Sequence, residues 1–244
     1  MKKRIDLILF DRNIANSRNH AKNLIKLGHI KIFGKKILKS SDLYESDIKI
    51  ELEKIDDIWV SRGAIKLNHV FNNYKIDVKN FTCIDIGAST GGFTEVLLSK
   101  NIKKVYCVDV GTDQLHNKLI RNPKIINITK TNARYLNKNI IPELVDLIVC
   151  DVSFISLKKV ITPSLEFLKP SSGIIIALIK PQFESDKINI IRGGKILDKN
   201  IHAKICNDYK EWFTNECKMN VKGIMPSPIN GQKGNKEFLI YASR

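Results

Sequence analysis

The chain has 244 residues, enough for one or two domains with a packed core. Its 41 Lys and Arg residues against 25 Asp and Glu give a net charge of +16, which indicates a polyanionic partner. The longest apolar run, residues 173–179, is far short of the ~20 residues that span a bilayer, and the basic start is not a secretory signal. We therefore expect a cytoplasmic protein with no membrane partner.

The cysteines form no C-x-x-C pair and no metal-type spacing with histidine. They are Cys83, Cys107, Cys150, Cys206 and Cys217. Three of them fall inside predicted strands, so we expect reduced core residues, no disulfide frame and no metal site.

The first 60 residues predict a small helical and stranded unit. Apolar residues between Ile5 and Leu9 predict a first short helix. Ser17 is a candidate N-cap for a second helix through Leu27, and Gly28 is a candidate stop. Short strands are expected at residues 30–33, 36–38 and 48–52, with a turn at 34–35.

Positive charge is concentrated in residues 1–39, which carry eleven basic and two acidic side chains, a net charge of +9, whereas residues 40–60 have an acidic balance. In the second helix, Arg18, Lys22 and Lys26 are spaced to share one face. Like charges at this spacing repel one another by a few tenths of a kcal/mol, roughly, which favours a phosphate ligand at this face. The alternative is a solvated basic helix with no nucleic-acid role.

The pattern S-R-x-x-A-x-x-L-I-x-x-G-x-I over residues 17–30, followed by Gly34-Lys35, resembles the ribosomal-protein-type RNA-binding domain. The similarity covers residues 3–52 and implies a small α+β fold with an α-L motif. Phe33 stands where that family usually has Asn, which leaves the turn type open because Phe tolerates a positive φ poorly. The candidate RNA-binding residues are Arg4, Arg18, Lys22, Lys26, Lys31, Lys35 and Lys36, with Arg62 from the next domain.

An acidic connector follows, which predicts an RNA-binding domain at 1–55, a linker at 56–60 and a second domain at 61–244. Trp59 lies in this linker. It has two open roles, packing at the domain seam or stacking on an RNA base.

The second domain alternates apolar strands with helices. Ser61 opens a helix that carries Arg62, Lys66 and His69. Strands are predicted at residues 81–86, 103–110, 125–128, 145–152, 173–179, 219–224 and 237–241. This alternation predicts an α/β fold with a parallel sheet covered on both faces.

A glycine-rich turn joins the first strand of this sheet to a helix, with the spacing D-x-G-x-x-x-G-G from Asp85 to Gly92. Glycines let backbone lie against a ligand, and strand ends are where α/β sheets bind ligands. The spacing differs from the dinucleotide and P-loop motifs. It resembles the first motif of S-adenosylmethionine-dependent methyltransferases, although a turn without a ligand is the alternative. The candidate cofactor-binding residues here are Asp85, Gly87, Ser89, Gly91, Gly92 and Phe93.

Two further polar residues follow later strands. Asp109 ends the second strand about 20 residues downstream, where a carboxylate can accept hydrogen bonds from both hydroxyls of a ribose. Asn132 falls where methyltransferases place a polar side chain beside the adenine. The alternatives are an ordinary strand-end Asp and a turn Asn.

Four charged residues lie at the ends or flanks of separate elements: Lys66, Asp151, Lys180 and Glu237. Strand ends of one sheet converge on one crevice, although an ion pair between Lys180 and Asp151 is a purely structural alternative. The segments around them are 61–67, 151–156, 178–184 and 234–237, and with the glycine turn they resemble FtsJ-like ribose methyltransferases of the TlyA subfamily. The similarity implies a Rossmann-like sheet of seven mostly parallel strands with the last one antiparallel. It also implies a K-D-K-E catalytic tetrad, with Asp151 contacting the cofactor as well, and 2′-O-methylation of a cytidine in ribosomal RNA.

The chemistry requires these residue types, because the ribose hydroxyl must be aligned with the activated methyl group and made more nucleophilic. Lys180 can accept or steer the proton, and Asp151 and Glu237 can orient the two amines. An exocyclic-amine enzyme would need a Pro-Pro-aromatic turn after Asp151, and a cytosine-C5 enzyme a nucleophilic Cys in a loop. Cys150 is expected to face the core.

The first hypothesis is therefore a ribose methyltransferase that uses S-adenosylmethionine and acts on ribosomal RNA or ribosomal subunits. The second is a non-catalytic RNA-binding or ribosome-assembly factor, and the third, with least support, is a haemolysin. The short ends of the chain resemble the short TlyA form, which implies large-subunit RNA as the substrate. A monomer is favoured.

Overall fold

The computed structural model describes residues 2–15, 17–26, 28–52, 59–186, 190, 194–231 and 234–244, without the side chains of Asn19 and Asn23. The chain forms two compact units, Met1–Ile58 and Trp59–Arg244. Of the predicted linker, residues 56–58 lie outside the described residues, and we keep the boundaries at 55 and 61 as a proposal. Each unit is described by itself.

The first unit combines two helices with two small antiparallel sheets. Its elements are β1 Lys2–Arg4, α1 Ile5–Asp11, α2 Arg18–Lys26, β2 Ile30–Ile32, β3 Lys35–Lys36, β4 Leu43–Glu45 and β5 Glu51–Leu52. β1 pairs with β4, and β2 pairs with both β3 and β5. Apolar residues of the two helices, among them Ile5, Leu9 and Leu24, form its core with Ile30 and Ile32. The sequence missed β1 and β4, because each strand has only three residues and β1 carries only charged side chains.

Both predicted signals at the ends of α2 are confirmed. The Ser17 hydroxyl accepts a hydrogen bond from the backbone N–H of His20 at 3.1 Å, as an N-cap does. Gly28 takes a φ of +77°, and the N–H of His29 donates to the carbonyl of Leu24, which closes the helix. Leu27, the predicted last residue, lies outside the described residues.

The turn between β2 and β3 was placed one residue too late. Its central residues are Phe33, with a φ of +51°, and Gly34, with +73°, so Ile32 pairs directly with Lys35. Two consecutive positive φ values define the tight hairpin turn that matches strand twist. Phe33 is 77% exposed and adopts a conformation that suits Asn or Gly better.

The second unit is an α/β sandwich around a seven-stranded sheet. Its helices are α3 Gly63–Tyr74, α4 Gly92–Ser99, α5 Asn117–Ile120, α6 Lys158–Ser164, α7 Pro181–Glu184 and α8 Lys199–Asn215. Its strands are β6 Thr82–Ile86, β7 Lys104–Val108, β8 Ile125–Ile128, β9 Leu147–Cys150, β10 Ile174–Ile179, β11 Asn220–Pro226 and β12 Phe238–Ser243. Short 3₁₀ helices cover Ala133–Tyr135 and Leu165–Phe167.

The strand order is β11-β12-β10-β9-β6-β7-β8, and the last strand, β12, runs antiparallel to both neighbours. The predicted fold class is therefore confirmed. Apolar side chains of alternate strand residues pack on the helices of the two faces, Ile84 and Ile86 in one core cluster and Cys83 in the other. Successive side chains of a strand point to opposite faces of the sheet, and helices cover both faces. Most positions of these strands are therefore apolar, which explains the continuous apolar runs in the sequence.

The predicted strands have the right positions but different ends. Prediction gave 145–152 for β9, yet Val145 makes only an isolated bridge to Leu168, and Asp151 follows the strand. Trp59 packs against the core of the second unit, among its partly buried apolar residues. Of its two predicted roles, packing is therefore the one that this contact supports.

Candidate active site

The glycine-rich turn lies between β6 and α4, at the carboxyl edge of the sheet. Gly87 has a φ of +80°, and a Cβ there would stand 2.7 Å from the carbonyl oxygen of Asp151. Gly91 has a φ of +93°, and a Cβ there would overlap Leu119. Both glycines are thus required by the backbone conformation and by neighbouring protein atoms. The turn is fixed closely against the loop that carries Asp151.

Asp85 lies inside β6 and is completely buried. Its Oδ2 accepts a hydrogen bond from the Thr94 hydroxyl at 2.6 Å, and burial raises the pKa of the carboxyl group to about 7. Among the described residues, its Oδ1 has no hydrogen-bond partner. The side chain does not line the neighbouring cavity, so a direct contact with a cofactor stays a prediction.

Asp109 connects the glycine turn to β7. Its two carboxylate oxygens accept hydrogen bonds from the backbone N–H groups of Ser89 and Gly111, each at 2.8 Å. A carboxylate has about four acceptor positions, so two remain for a ligand. Asn132 caps the 3₁₀ helix at Ala133–Tyr135, where its Oδ1 accepts from the N–H of Arg134. Its predicted contact with an adenine ring is not tested by this geometry.

A cavity of about 300 Å³ opens beside the glycine turn. It is lined by the turn residues Gly87, Ser89, Gly92 and Phe93 and by all four predicted tetrad residues. Asp109, Gly91 and Asn132 do not line it. The sheet therefore brings Lys66 of α3 together with residues that follow β9 and β10 and precede β12.

The four tetrad side chains form one connected ion-pair network. Lys66 Nζ lies 2.7 Å from Glu237 Oε2 and 3.3 Å from Asp151 Oδ2. Lys180 Nζ lies 2.5 Å from Asp151 Oδ1 and donates a hydrogen bond to the Ser153 hydroxyl at 2.9 Å. Lys66, Lys180 and Glu237 are 5%, 7% and 4% exposed.

The charges of this network compensate one another. Burial alone would raise the pKa of Asp151, but the charges of Lys66 and Lys180 outweigh it and hold the pKa below its usual value. The predicted Lys180–Asp151 pair is therefore present, as part of a larger network. Burying four charges costs desolvation energy and adds little net stability, so their position at a cavity favours a catalytic role.

Sequence reasoning missed the side chains that complete the cavity wall: Ser153, Phe154, Gln182 and Phe183. Phe154 is 86% exposed with a φ of +65°, and its ring lies 5.1 Å from that of Phe183. Both rings belong to the two segments already singled out around Asp151 and Lys180. The signal was an aromatic residue three positions after each charged one.

Cys150 does not fit a nucleophile. It is completely buried at the end of β9, and burial raises the pKa of its thiol far above the usual value. A cytosine-C5 mechanism therefore has no support from this residue. Of the predicted core cysteines, Cys83, Cys107, Cys150 and Cys217 are buried, whereas Cys206 on α8 is only half-buried.

The candidate RNA-binding residues of the first unit are distributed around α1, α2 and the hairpin. Arg18, Lys22 and Lys26 are exposed on α2, and Lys35 and Lys36 are exposed on β3. Lys31 is half-buried in β2. Arg62 belongs to the second unit, where it lines the active-site cavity.

Arg4 and Arg18 share a partner that the sequence did not identify. Arg4 donates two hydrogen bonds of 3.0 Å to the completely buried carboxylate of Asp6, and Arg18 lies 3.6 Å from it. Asp6 therefore fixes two guanidinium groups whose outer surface stays partly exposed.

Within the described residues, no helix is both long and apolar enough to cross a bilayer. The same part of the chain contains no cluster of three or more metal-binding side chains.

Comparison with known proteins identifies relatives of both units. The FtsJ-like methyltransferase family matches residues 59–244, and the S4 domain matches residues 3–47. The chain is 36% identical to the 16S/23S rRNA (cytidine-2′-O)-methyltransferase TlyA of Mycobacterium tuberculosis, over 98% of this chain and 88% of that protein. It is 35% identical to the 23S rRNA (cytidine-2′-O)-methyltransferase TlyA of Campylobacter jejuni, over 87% and 83%.

Other relatives carry a different label. Hemolysin A of Brachyspira hyodysenteriae is 36% identical over 98% of both chains. The solved structure of a "putative hemolysin" from Streptococcus thermophilus matches all of this chain and 88% of that one, with 32% identity and a TM-score of 0.75. With more than half of its length matched, and with the glycine turn and tetrad in one cavity, the chain belongs to the FtsJ-like methyltransferase family and carries an S4 domain at its N-terminal end.

Proposed function

We propose that this protein is an S-adenosylmethionine-dependent methyltransferase that modifies the 2′-oxygen of a cytidine in ribosomal RNA. The observation that carries the proposal is the buried Lys66–Glu237 and Lys180–Asp151 network at the wall of a cavity next to the glycine turn. Relatives of more than 30% identity are named for this activity.

The cofactor site fits an adenosyl cofactor. Gly87, Ser89 and Gly92 of the turn present backbone and small side chains to the cavity, and Asp109 keeps two acceptor positions beside the turn. When bound, S-adenosylmethionine supplies a methyl group already activated by its sulfonium. In this proposal Gly87, Ser89, Gly92 and Phe93 contact the cofactor and Asp109 binds its ribose.

The tetrad has the groups needed to align a ribose hydroxyl and move its proton. In its neutral amine form, Lys180 would accept the proton that the 2′-hydroxyl loses on methylation. Asp151, 2.5 Å from Lys180 Nζ, stabilises the resulting ammonium group. Lys66 and Glu237 hold Asp151 in place, because Lys66 contacts both carboxylates. Alignment supplies most of the rate enhancement.

The first unit is proposed to dock the RNA through its exposed basic side chains. Arg18, Lys22 and Lys26 lie on one face of α2, and S4 domains are the matched family. Large-subunit RNA is the proposed substrate, because 23S rRNA is common to the names of both TlyA relatives. The activity is accordingly placed in the cytoplasm, where ribosomes are.

The test is incubation of the protein with tritiated S-adenosylmethionine and, in separate reactions, large and small ribosomal subunits from cells that lack it, followed by mapping of 2′-O-methyl marks. We expect a mark on one cytidine of the large-subunit RNA. RNA binding without transfer would indicate the alternative, a non-catalytic assembly factor. A mark on a base, or on small-subunit RNA alone, would also contradict the proposal.

A further inference from the structure

A second and larger cavity lies beside the active site in the catalytic unit. Its volume is about 450 Å³, and it is enclosed by the first turns of α8, the end of β11 and the start of β12. Because α8 begins, β11 ends and β12 begins at the carboxyl edge of the sheet, the cavity opens at the edge that carries the tetrad. Glu237 lines both cavities. The two cavities therefore adjoin at the side chain of Glu237.

The second cavity combines an apolar wall with a basic rim. Its wall is formed by Ala203 and Cys206 of α8 and by Ile224, Pro226 and Phe238 of the sheet. Its polar lining includes two exposed lysines, Lys199 and Lys236. No carboxylate other than Glu237, already paired with Lys66, lines it among the described residues. A flat apolar group with an attached anion matches this combination, and a nucleotide is such a group.

His202 adds a hydrogen-bond acceptor to the cavity lining. Its Nε2 lies 3.2 Å from the carbonyl oxygen of Ile196, and its ring lies 5.5 Å from that of Phe238. Burial lowers the pKa of His202, so the ring is neutral near pH 7. Since a carbonyl can only accept, Nε2 carries the proton and Nδ1 is an acceptor. Within the described part of the chain, Nδ1 has no hydrogen bond, which leaves it available to an N–H group of a base.

We propose that this cavity holds the nucleotide that neighbours the methylated one in the RNA strand. Its base packs against the apolar wall beside His202, and its phosphate pairs with Lys199 and Lys236. The inference rests on the proposed function, and it follows from the continuity of the two cavities at Glu237 and from the charge of the rim. An RNA strand with its target ribose at the tetrad must continue to one side, and this cavity is the adjoining space with matching chemistry.

The test measures methyl transfer from tritiated S-adenosylmethionine to undermodified large subunits at varied subunit concentration. Ala203→Trp fills the cavity from the exposed side of α8, and Lys204→Trp, at an exposed residue of the same helix that does not line the cavity, is its matched control. Lys199→Ala removes a rim charge, and Lys204→Ala removes an exposed charge of the same helix that does not line the cavity. Calorimetry gives the cofactor affinity, filter binding at several salt concentrations gives the salt slope of RNA binding, and thermal unfolding checks that each variant is folded.

We expect Ala203→Trp to raise the KM for subunits by about tenfold, the size of one lost base-stacking contact, while kcat and cofactor affinity stay within about twofold. Lys199→Ala should lower the salt slope of RNA binding by about one. Lys204→Trp and Lys204→Ala should match the wild type.

Different failures are distinguishable. If the wild type methylates subunits and Ala203→Trp has an unchanged KM, the nucleotide site is wrong and the proposed function stands. If Ala203→Trp instead weakens the cofactor, the cavity belongs to the cofactor and the inference is also wrong. If the wild type transfers no methyl group to RNA ribose, both proposals fall together.

Discussion

Lys66 and Lys180 bind opposite oxygens of one carboxylate, that of Asp151, and this arrangement gives the two lysines different roles. Lys66 also pairs with Glu237 at 2.7 Å, whereas Lys180 donates to the small hydroxyl of Ser153. With two carboxylate partners, Lys66 is the more firmly held cation. Lys180 is the better candidate for a proton acceptor, since a single carboxylate and one hydroxyl restrain it.

Lys180→Ala is expected to lower methyl transfer by at least about a hundredfold, the usual contribution of a general base. Asp151 keeps Lys66 as a partner, so cofactor affinity by calorimetry should stay within several-fold. Lys159→Ala, an exposed lysine of the same unit, serves as the control. A Lys180→Ala rate above a tenth of the wild type would rule out a central chemical role, and loss of cofactor binding would indicate a structural ion pair.

Gly87→Val should weaken S-adenosylmethionine binding and lower the free energy of unfolding by about 1–3 kcal/mol. There are two physical reasons. Valine rarely adopts a φ of +80°, and its Cβ would clash with the carbonyl oxygen of Asp151. Gly34→Val is the matched control, because Gly34 has a φ of +73° with no atom within 4 Å and lies in the other unit. Calorimetry of both variants separates backbone strain from damage to the site. Unchanged affinity for Gly87→Val would place the cofactor elsewhere.

Asp85 predicts a pH-dependent stability. Its pKa in the folded chain is about 7 against an ordinary 3.8, because burial favours the neutral form. Below the pKa of the unfolded chain, Asp85 is protonated in both states and its burial costs no ionisation energy. As the pH rises from that value toward 7, the unfolded chain gives up this proton more readily than the folded chain, so the free energy of unfolding falls. Asp85→Asn cannot ionise. Relative to the wild type, its free energy of unfolding should increase between pH 4 and pH 8, on the order of 4 kcal/mol at most.

Urea unfolding at the two pH values measures this difference. Asp77→Asn, an exposed carboxylate of the same unit, controls for the general effect of charge removal. An Asp85→Asn effect of equal size at pH 4 and pH 8 would mean that the buried carboxyl does not titrate in this range.

At the scale of elements, the hairpin between β2 and β3 joins strands of only three and two residues. Its turn conformation needs a positive φ at two successive residues, and Phe33 supplies one of them at a steric cost. The neighbouring helix α2 has favourable ends, with Ser17 as N-cap and Gly28 as stop. In the first unit, the turn between β2 and β3 is therefore locally strained, whereas the ends of α2 are locally stabilised.

Phe33→Asn is expected to stabilise the first unit by about 0.5–1 kcal/mol, because Asn adopts a positive φ more readily and Asn-Gly is a preferred turn pair. Phe33 is 77% exposed, so little burial is lost. Urea unfolding of the full chain, followed by a signal from the first unit, measures the change. Phe10→Asn, at another exposed aromatic residue outside the turn, should not stabilise. A Phe33→Asn chain no more stable than the wild type would show that the turn is unstrained.

At the scale of the whole molecule, the chain consists of two units with separate hydrophobic cores. Within the first unit, residues 1–39 carry a net charge of +9. The second contains the glycine turn and the complete tetrad. RNA affinity and transfer chemistry are therefore expected to be separable.

Deletion of residues 1–58 should leave a folded unit that binds S-adenosylmethionine and has lost most of its RNA affinity. The salt slope of RNA binding should fall by about one for each phosphate contact removed. Calorimetry with the cofactor shows that the shortened protein is intact, and filter binding at several salt concentrations gives the slope. Equal RNA affinity and an equal slope would refute the docking role of the first unit.

The local patterns of the sequence determined much of this description. Strands with both faces covered are continuous apolar runs, and the Ser17 and Gly28 signals mark the ends of α2, because both depend on neighbours within a few residues. The spacing from Asp85 to Gly92 identified a ligand-type turn for the same reason. The tetrad residues were found by their similarity to a family, since no local pattern links Lys66 to Glu237.

Only the tertiary structure decided which distant groups meet. The strand order β12-β10-β9-β6 brings Glu237 to 2.7 Å from Lys66, 171 residues earlier in the chain. It also hides Asp85 completely, and it sets a second cavity against Glu237. Contacts of this kind depend on how whole helices and strands pack together. The hydrophobic periodicity of the sequence does not predict which of these elements become neighbours. The sequence therefore determined the elements and the reactive groups, and the fold alone decided their partners, their burial and the space around them.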